Sequence, residues 1–266
     1  MKVMNARKYE GQPLGSFSIT PKIDGHRLIV TVDNKGNVEL KTRNGNAVEV
    51  LGIDFKGLPW GYVYDGELQA WDGKFETTSK LLKTTKTDLY YHLFDAIPFE
   101  VAKRGTYGVP YCQRYQDLQQ LHMPTGIKLV PCLYSGTDTN MIEHHLQNRG
   151  RKCDGVMINL NNGLYTSGLS DYIFKVKPEY TYDLKIIDFI VGYDGDAFSS
   201  LVVDYKGKEV ACRVQSKHVG ANLWERRHEL LGKIVEVKHS GETKGKSLRH
   251  AMFVRMREDK TNVSYN

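Results

Sequence analysis

Short runs in which apolar and polar residues alternate recur along most of the chain, the pattern of strands buried on one face. Residues 28–32 and 38–42 are rich in β-branched and apolar side chains and flank Asp33-Asn34-Lys35-Gly36-Asn37. That arrangement predicts a hairpin around a Gly/Asn turn. Residues 61–64 predict a further strand ending at Asp65-Gly66-Glu67, and residues 89–94, 156–158 and 172–177 predict inner strands. Apolar spacings of three and four predict helices over 75–82, 114–122 and 139–148. Pro178 cannot continue a ladder, so 177–180 reads as a hinge. Beyond it the texture changes. Strands are predicted at 186–191, 200–205, 209–214, 234–237 and 251–256, with a helix over 223–231 between the third and fourth. Five strands with one helix before the fourth fit a small OB-fold barrel. The predicted division is therefore 1–180 and 181–266.

Composition adds bounds rather than identity. The chain has 266 residues, 40% hydrophobic and 26% charged, which suits a packed soluble protein of one large or two smaller domains. A formal charge of +6 permits a polyanionic partner without requiring one. Cys112, Cys132, Cys153 and Cys212 share no metal-ligand spacing and read as reduced, half-buried thiols. No apolar signal core opens the chain and no run approaches membrane-spanning length, so a soluble cytoplasmic protein without a signal peptide is expected.

The strongest local signal is Lys22-Ile23-Asp24-Gly25-His26-Arg27, expected in a rigid loop between two strands. A lysine amine is a poor nucleophile near its usual pKa of about 10.4. Neighbouring cations and partial burial would favour the neutral amine, and the same cations would hold a phosphate. By itself the hexapeptide also fits a solvated surface hairpin. Taken singly, Asp65-Gly66-Glu67 also fits an acidic turn, Phe94 a core aromatic, Asp154 a turn aspartate, and Lys175 with Lys177 a solvated strand edge.

In order along the chain, these segments resemble the motifs of the covalent nucleotidyltransferases: ATP-dependent DNA ligases, RNA ligases and mRNA capping enzymes. The chain looks like a minimal, phage-type ATP-dependent DNA ligase from about Ser16 to Lys260. The resemblance implies an α+β protein. An ATP-grasp-like adenylation domain of antiparallel sheets with flanking helices would precede the small OB-fold barrel. It implies that Lys22, in KxDGxR, forms a lysyl-AMP and that Arg27 contacts the nucleotide. Thr42-Arg43-Asn44-Gly45 would set Arg43 near the ribose and the donor end of the nick. Glu67 of Asp65-Gly66-Glu67 would read a ribose hydroxyl or help bind a divalent metal. Tyr91-His92-Leu93-Phe94-Asp95 would offer Phe94 as an adenine platform. Cys153-Asp154-Gly155-Val156-Met157-Ile158 would supply Asp154 as a second metal ligand. Phe174-Lys175-Val176-Lys177-Pro178 would embrace the α-phosphate with Lys175 and Lys177. Arg257-Glu258-Asp259-Lys260 matches RxDK, so Arg257, Asp259 and Lys260 would orient the pyrophosphate of ATP.

Three positions depart from the family pattern. Asp154 stands where glutamate is usual, Asn159 where a basic residue is common, and Thr20 where glutamate often precedes the lysine, its hydroxyl meeting the adenine edge. The implied cofactors are ATP and Mg²⁺ (or Mn²⁺), and the implied partner is nicked duplex DNA. In the second domain Lys206, Lys208, Arg213, Lys217, Arg226, Arg227, Lys238, Lys244, Lys246 and Arg249 would provide phosphate contacts, with 241–246 as a flexible basic loop. An RNA ligase or capping-type enzyme shares Lys22 and the lysine pair, and a non-catalytic OB-type binding protein is the rival from another class. The 21 residues before Lys22 are too few for a nicotinamide-binding domain, so an NAD-dependent ligase is not expected and a monomer is.

Overall fold

The computed structural model describes residues 3–102, 104–150, 152–191, 198–243 and 245–265. The chain divides into two compact units, Met1–Lys177 and Pro178–Asn266.

The first unit is built on two five-stranded sheets. One runs Met4–Lys8, Gly168–Val176, Cys153–Leu160, Phe17–Ile23, Tyr134–Gly136. The other runs Val38–Thr42, His26–Val32, Tyr62–Ala70, Leu89–Pro98, Ile127–Leu129. The expected hairpin at 28–42 is present, paired from Leu28 opposite Thr42 to Val32 opposite Val38. The sheets are not wholly antiparallel. Met4–Lys8 lies parallel to Gly168–Val176, and Ile127–Leu129 parallel to Leu89–Pro98, because both edge strands enter by long connections instead of hairpins.

Alternation along these strands explains what each face does. In the first sheet Phe17, Ile19, Val156, Ile158 and Phe174 point to one side and pack with Ile142 and Leu146 of the helix Asn140–Gln147. The opposite side therefore carries Thr20, Lys22, Met157, Asn159, Ile173 and Lys175. In the second sheet Leu28, Val30, Tyr64, Leu68, Tyr91 and Leu93 form one core, leaving Arg27, Glu67 and Phe94 for the other side.

The helix expected at 114–122 spans Tyr111–Gln119 instead, because Pro110 stands at its N-cap position and starts it early. Met4–Lys8, too short and mixed to signal a strand, forms one, with Met4 and the preceding Val3 buried. All four cysteines are free thiols, Cys112 exposed and Cys212 buried.

In the second unit the strands Phe198–Tyr205, Lys208–Arg213, Met252–Met256, Ile234–His239, Tyr180–Val191 and Ser264–Tyr265 lie in that order. The long strand Tyr180–Val191 pairs through its first half with Ile234–His239 and through its second half with Phe198–Tyr205, so the sheet curls back on itself. Leu184, Ile186, Leu201, Val203, Val235 and Val237 fill its core. The helix expected at 223–231 starts earlier, at Lys217, because the Ser216 side chain accepts the Val219 N–H as an N-cap. It ends at Glu225, and a short second helix, Arg227–Leu230, follows.

Candidate active site

Lys22 is the penultimate residue of a strand, Phe17–Ile23, rather than part of a loop. Only Asp24 and Gly25 separate that strand from His26–Val32. Gly25 is required there, since a Cβ would come within 2.0 Å of the Leu68 carbonyl oxygen. Gly155, directly opposite Lys22, is under the same constraint: a Cβ would lie 2.0 Å from the Val176 carbonyl oxygen. Both glycines let neighbouring backbones close around the lysine.

A cavity of about 840 Å³ opens over Lys22, lined by both sheets of the first unit. Thr20, Lys22, Arg27, Arg43, Glu67, Phe94, Lys175 and Lys177, named from the sequence, all line it. Asp154 does not line it but holds two of the residues that do. Its Oδ2 lies 3.0 Å from Lys22 Nζ and 2.5 Å from Lys177 Nζ. The nearest charge to the Lys22 amine is thus a carboxylate, where the sequence had suggested a wholly cationic setting. Burial raises the Asp154 pKa, but Lys22 and Lys177 outweigh it and hold the carboxyl below its ordinary range. Lys175 shows the cationic side of the pocket. Burial, then Lys177, Lys22 and Arg43, push its ammonium pKa down, so these four positive groups converge.

Arg27 is held by a residue to which motif matching gave no role. Its Nε and Nη2 donate to Asp65 Oδ1 and Oδ2 at 2.7 and 2.5 Å, and Nη2 also donates to the Met4 carbonyl at 2.7 Å. Burial works against the Arg27 charge and Asp65 overcompensates, so its pKa is raised. Tyr165 secures Asp65 in turn, donating its hydroxyl to Oδ2 at 3.0 Å and accepting the Met4 N–H at 3.2 Å. The guanidinium carbon lies 5.3 Å from the centroid of the Phe94 ring. Phe94 is a bulge residue: Asp65 faces Asp95 and Gly66 faces Leu93, which leaves Phe94 without an opposite partner. The usable signal for Asp65 was chemical, since a planar fork such as Arg27 demands a carboxylate when buried.

On the cavity wall the Asn159 amide donates to Thr20 Oγ1 at 3.4 Å, and both residues are almost fully buried. Met157 and Ile173 line the cavity beside them. Strand alternation alone would have nominated all three of Met157, Asn159 and Ile173.

Burial pushes the Glu67 carboxyl up to about 7, against the pull of Lys22 and Arg27. No described group donates a hydrogen bond to it. A hard divalent cation such as Mg²⁺ takes one or two carboxylates and completes its shell with water and phosphate oxygens. Glu67 lines the cavity and could offer one such carboxylate, whereas Asp154 lies off the cavity lining with its Oδ2 held by Lys22 and Lys177. Among the described residues no three His, Cys, Asp or Glu side chains gather into a closed cage. Because the folded-state pKa of Glu67 lies above its unfolded value, its contribution to stability is present at low pH and lost as pH rises to about 7. Glu67→Gln is therefore expected to stabilise the protein by on the order of 1–3 kcal/mol at pH 8 and by nearly nothing at pH 4. Thermal melts at the two pH values check this, and an equal shift at both would sink it.

In the second unit, RxDK forms a compact ion cluster. Arg257 Nη1 and Lys260 Nζ reach Asp183 Oδ1 and Oδ2 at 2.9 and 2.5 Å, and Arg257 also grips Asp259 with Nε and Nη2 at 2.9 and 2.7 Å. Asp183, only 1% exposed, was not apparent from the motifs. Of the basic residues named there, Lys206 pairs with Glu242, Lys238 with Glu179 and Arg226 with Glu229. Arg227 lies over the Trp224 ring. The 241–246 segment forms part of a hydrogen-bonded turn, with Thr243 N–H to Ser247 O at 2.7 Å and Ser240 N–H to Arg249 O at 2.9 Å. Lys244 lies outside the described residues.

Similar folds occur among solved structures. The structure named Pmar-Lig_Pre matches with a TM-score of 0.78 at 22% identity, over 97% of this chain and 67% of that one. A Lig E DNA ligase, described as binding DNA with a minimal scaffold, matches with a TM-score of 0.75 at 23% identity, over 97% of this chain and 99% of that one. The ATP-dependent DNA ligase of bacteriophage T7, in complex with ATP, matches with a TM-score of 0.58 at 19% identity, over 96% and 98%. No family model and no curated protein matches the sequence. The shared architecture is an α+β nucleotidyltransferase unit with mixed sheets and few helices, followed by an OB-fold unit.

Proposed function

We propose that this chain is an ATP-dependent DNA ligase that seals 3′-hydroxyl/5′-phosphate nicks in duplex DNA through lysyl-AMP and DNA-adenylate. One observation carries the reading: Lys22 lies in a two-sheet cavity where Lys175, Lys177 and Arg43 converge and Phe94 and Arg27 form the opposite wall. Several cations and a flat aromatic around one cavity suit a nucleotide, and an amine beside the cations suits attack on its phosphate. The fold shared with DNA ligases supports the same reading.

In this reading residues 1–180 are the adenylation domain and 181–266 the OB-fold domain, with 177–180 the hinge. The Lys22 amine, once deprotonated, attacks the α-phosphorus of ATP. A P–N bond forms as the bond to pyrophosphate breaks. Lys175 and Lys177 neutralise the charge growing on the phosphate oxygens. Asp154 orients the attacking amine by accepting its hydrogen bond. Phe94 stacks the base, Thr20 meets its edge, and Arg27, fixed by Asp65, holds the nucleotide. Arg257, Asp259 and Lys260 orient the leaving pyrophosphate. Mg²⁺ or Mn²⁺, when bound by Glu67, would add positive charge at the phosphates. A nick 5′-phosphate then takes the adenylate from Lys22, and the 3′-hydroxyl displaces AMP. The same reading has the enzyme act as a monomer in the cytoplasm; no described helix is long and apolar enough to cross a membrane.

The test is incubation of the purified protein with labelled ATP or GTP, followed by nicked DNA, nicked RNA or diphosphate-ended RNA. Label from ATP that moves onto nicked DNA and disappears on sealing is expected. Transfer only to an RNA end would replace the reading with an RNA-directed one.

A further inference from the structure

No motif covers the N-terminal strand Met4–Lys8, yet Met4, Asn5 and Ala6 line the cavity. At Met4 the main chain makes the contact. Gly168 gives its N–H to the carbonyl of the preceding Val3, so the main-chain groups of Met4 face the open edge of the strand. Both are taken by side chains of the site. The Met4 carbonyl accepts from Arg27 Nη2 at 2.7 Å, and the Met4 N–H donates to the Tyr165 hydroxyl at 3.2 Å. That hydroxyl donates to Asp65 Oδ2 at 3.0 Å, and the same oxygen accepts from Arg27 Nη2 at 2.5 Å. Four residues thus close a ring of hydrogen bonds that begins and ends on Met4. Met4, Asp65 and Tyr165 are all buried. In such surroundings the loss of one member strands the polar groups of the others.

The other end of the strand meets a different part of the site. Lys8 lies opposite Lys175, and the next residue, Tyr9, donates its N–H to the Lys175 carbonyl at 3.1 Å. The Tyr9 ring packs edge-on against Phe174, with centroids 6.0 Å apart. Between these two anchorages the pairing with Gly168–Val176 shifts register at Ala6 and Arg7, so it does not by itself fix where Met4 sits relative to Lys175. The strand itself, about 13 Å from Met4 to Lys8 at the usual rise, spans that distance. An edge strand that merely completed the sheet would leave the outward groups of Met4 to water. Here they hold the guanidinium that stands over Phe94.

We propose, resting on the ligase reading, that residues 4–9 form a positioning strap: their main chain holds Arg27 at one anchorage and Lys175 at the other, and sets the spacing between the two. The anchorages differ in what they leave in the kinetics. Arg27 holds the nucleotide before and during reaction alike, so loosening it raises KM and spares kcat. Lys175 meets charge that grows only as the P–N bond forms, so loosening it lowers kcat and spares KM.

The experiment measures kcat and KM for ATP in adenylate labelling of the full chain, alongside thermal melts. Tyr165→Phe removes the hydroxyl that joins Met4 to Asp65. Its KM is expected to rise about tenfold, with kcat within about threefold of the unaltered chain. The Kd for ATP, measured in a Lys22→Ala background where no bond forms, is expected to rise by the same factor. Tyr9→Pro removes the N–H given to Lys175, and Tyr9→Ala removes the ring but keeps that N–H. The proline variant is expected to show a kcat about tenfold below that of the alanine variant, at a KM within about threefold. Tyr9 is only partly buried, so this pair carries the test should Tyr165→Phe fold poorly. A Tyr165→Phe chain that melts lower but keeps KM and Kd would show an edge strand with a structural role alone and would overturn the strap. Equal kcat in the two Tyr9 variants would overturn it as well. Absence of label in the unaltered chain would instead remove the ligase reading beneath it, so the two failures are distinguishable.

Discussion

Lys22→Ala is expected to abolish covalent capture of adenylate, a loss on the order of 10⁴-fold or more in labelling rate, because the bond-forming atom itself is removed. Lys22→Arg is expected to fare no better. A guanidinium stays protonated and offers no lone pair at neutral pH. The fold should survive both changes. Asp154, the partner of Lys22, keeps Lys177 at 2.5 Å, and Lys22 is only partly buried. Melting temperatures close to that of the unaltered protein would therefore separate lost chemistry from lost structure. A further arm makes the test sharper. If a nicked duplex already carrying adenylate on its 5′-phosphate is supplied, the alanine variant is expected to seal it, since the lysyl-AMP step has been bypassed. Label that persists on the alanine variant would move the nucleophile elsewhere, with Lys175 and Lys177 the next amines in the cavity. An acid-labile adduct of one adenylate on the unaltered protein, absent from the variant, is the mass-spectrometric form of the same result.

Much of this site could be seen in the sequence because its chemistry demands particular side chains at short spacings. Lys22 and Arg27 lie five positions apart on two strands joined by a two-residue link, and Lys175 and Lys177 share a face through the period of a strand. The glycines of these motifs likewise have local causes, since Gly25 and Gly155 each sit against a backbone carbonyl. What stayed hidden depends on distant segments. Asp65 matters because Arg27 approaches it across neighbouring strands, and Tyr165 reaches it from a hundred residues away along the chain. Asp183 gathers Arg257 and Lys260 across more than seventy residues. Single-strand patterning carries no information about such pairings. The strand Met4–Lys8 was missed for a related reason: its place is set by parallel pairing to Gly168–Val176, not by its own composition. Helix boundaries moved where a cap outranked periodicity, at Pro110 and at Ser216.

Arg114→Met is expected to destabilise the protein by about 3–5 kcal/mol, lowering its Tm by roughly 10 °C at pH 8. Arg114 and Asp95 are only 3% and 5% exposed. Nε and Nη2 of Arg114 each donate to one oxygen of Asp95 at 2.8 Å, and Nη1 donates to the carbonyls of Val109 and Gly163 at 2.6 and 3.1 Å. One side chain thus fastens the helix Tyr111–Gln119 to the strand that carries Phe94 and to the segment that leads to Tyr165. Methionine fills much of the same space but leaves the Asp95 carboxylate buried without a counter-charge, which is the costly half of breaking a buried pair. Burial already raises the Asp95 pKa, opposed chiefly by Arg114. Without the arginine that pKa rises further, so the carboxyl takes up a proton more readily as pH falls. The deficit of the variant should therefore be greatest at alkaline pH and shrink toward pH 4, since a neutral carboxyl is cheaper to bury than an anion. Arg114→Met/Asp95→Leu is expected to regain most of the loss, because it removes the stranded charge as well as its partner. Adenylate labelling should track the same order, as Phe94 and the Tyr165–Asp65–Arg27 chain both lean on this anchor. A single variant that melts within about 2 °C of the unaltered protein at pH 8 would show that the pair is not what joins these elements.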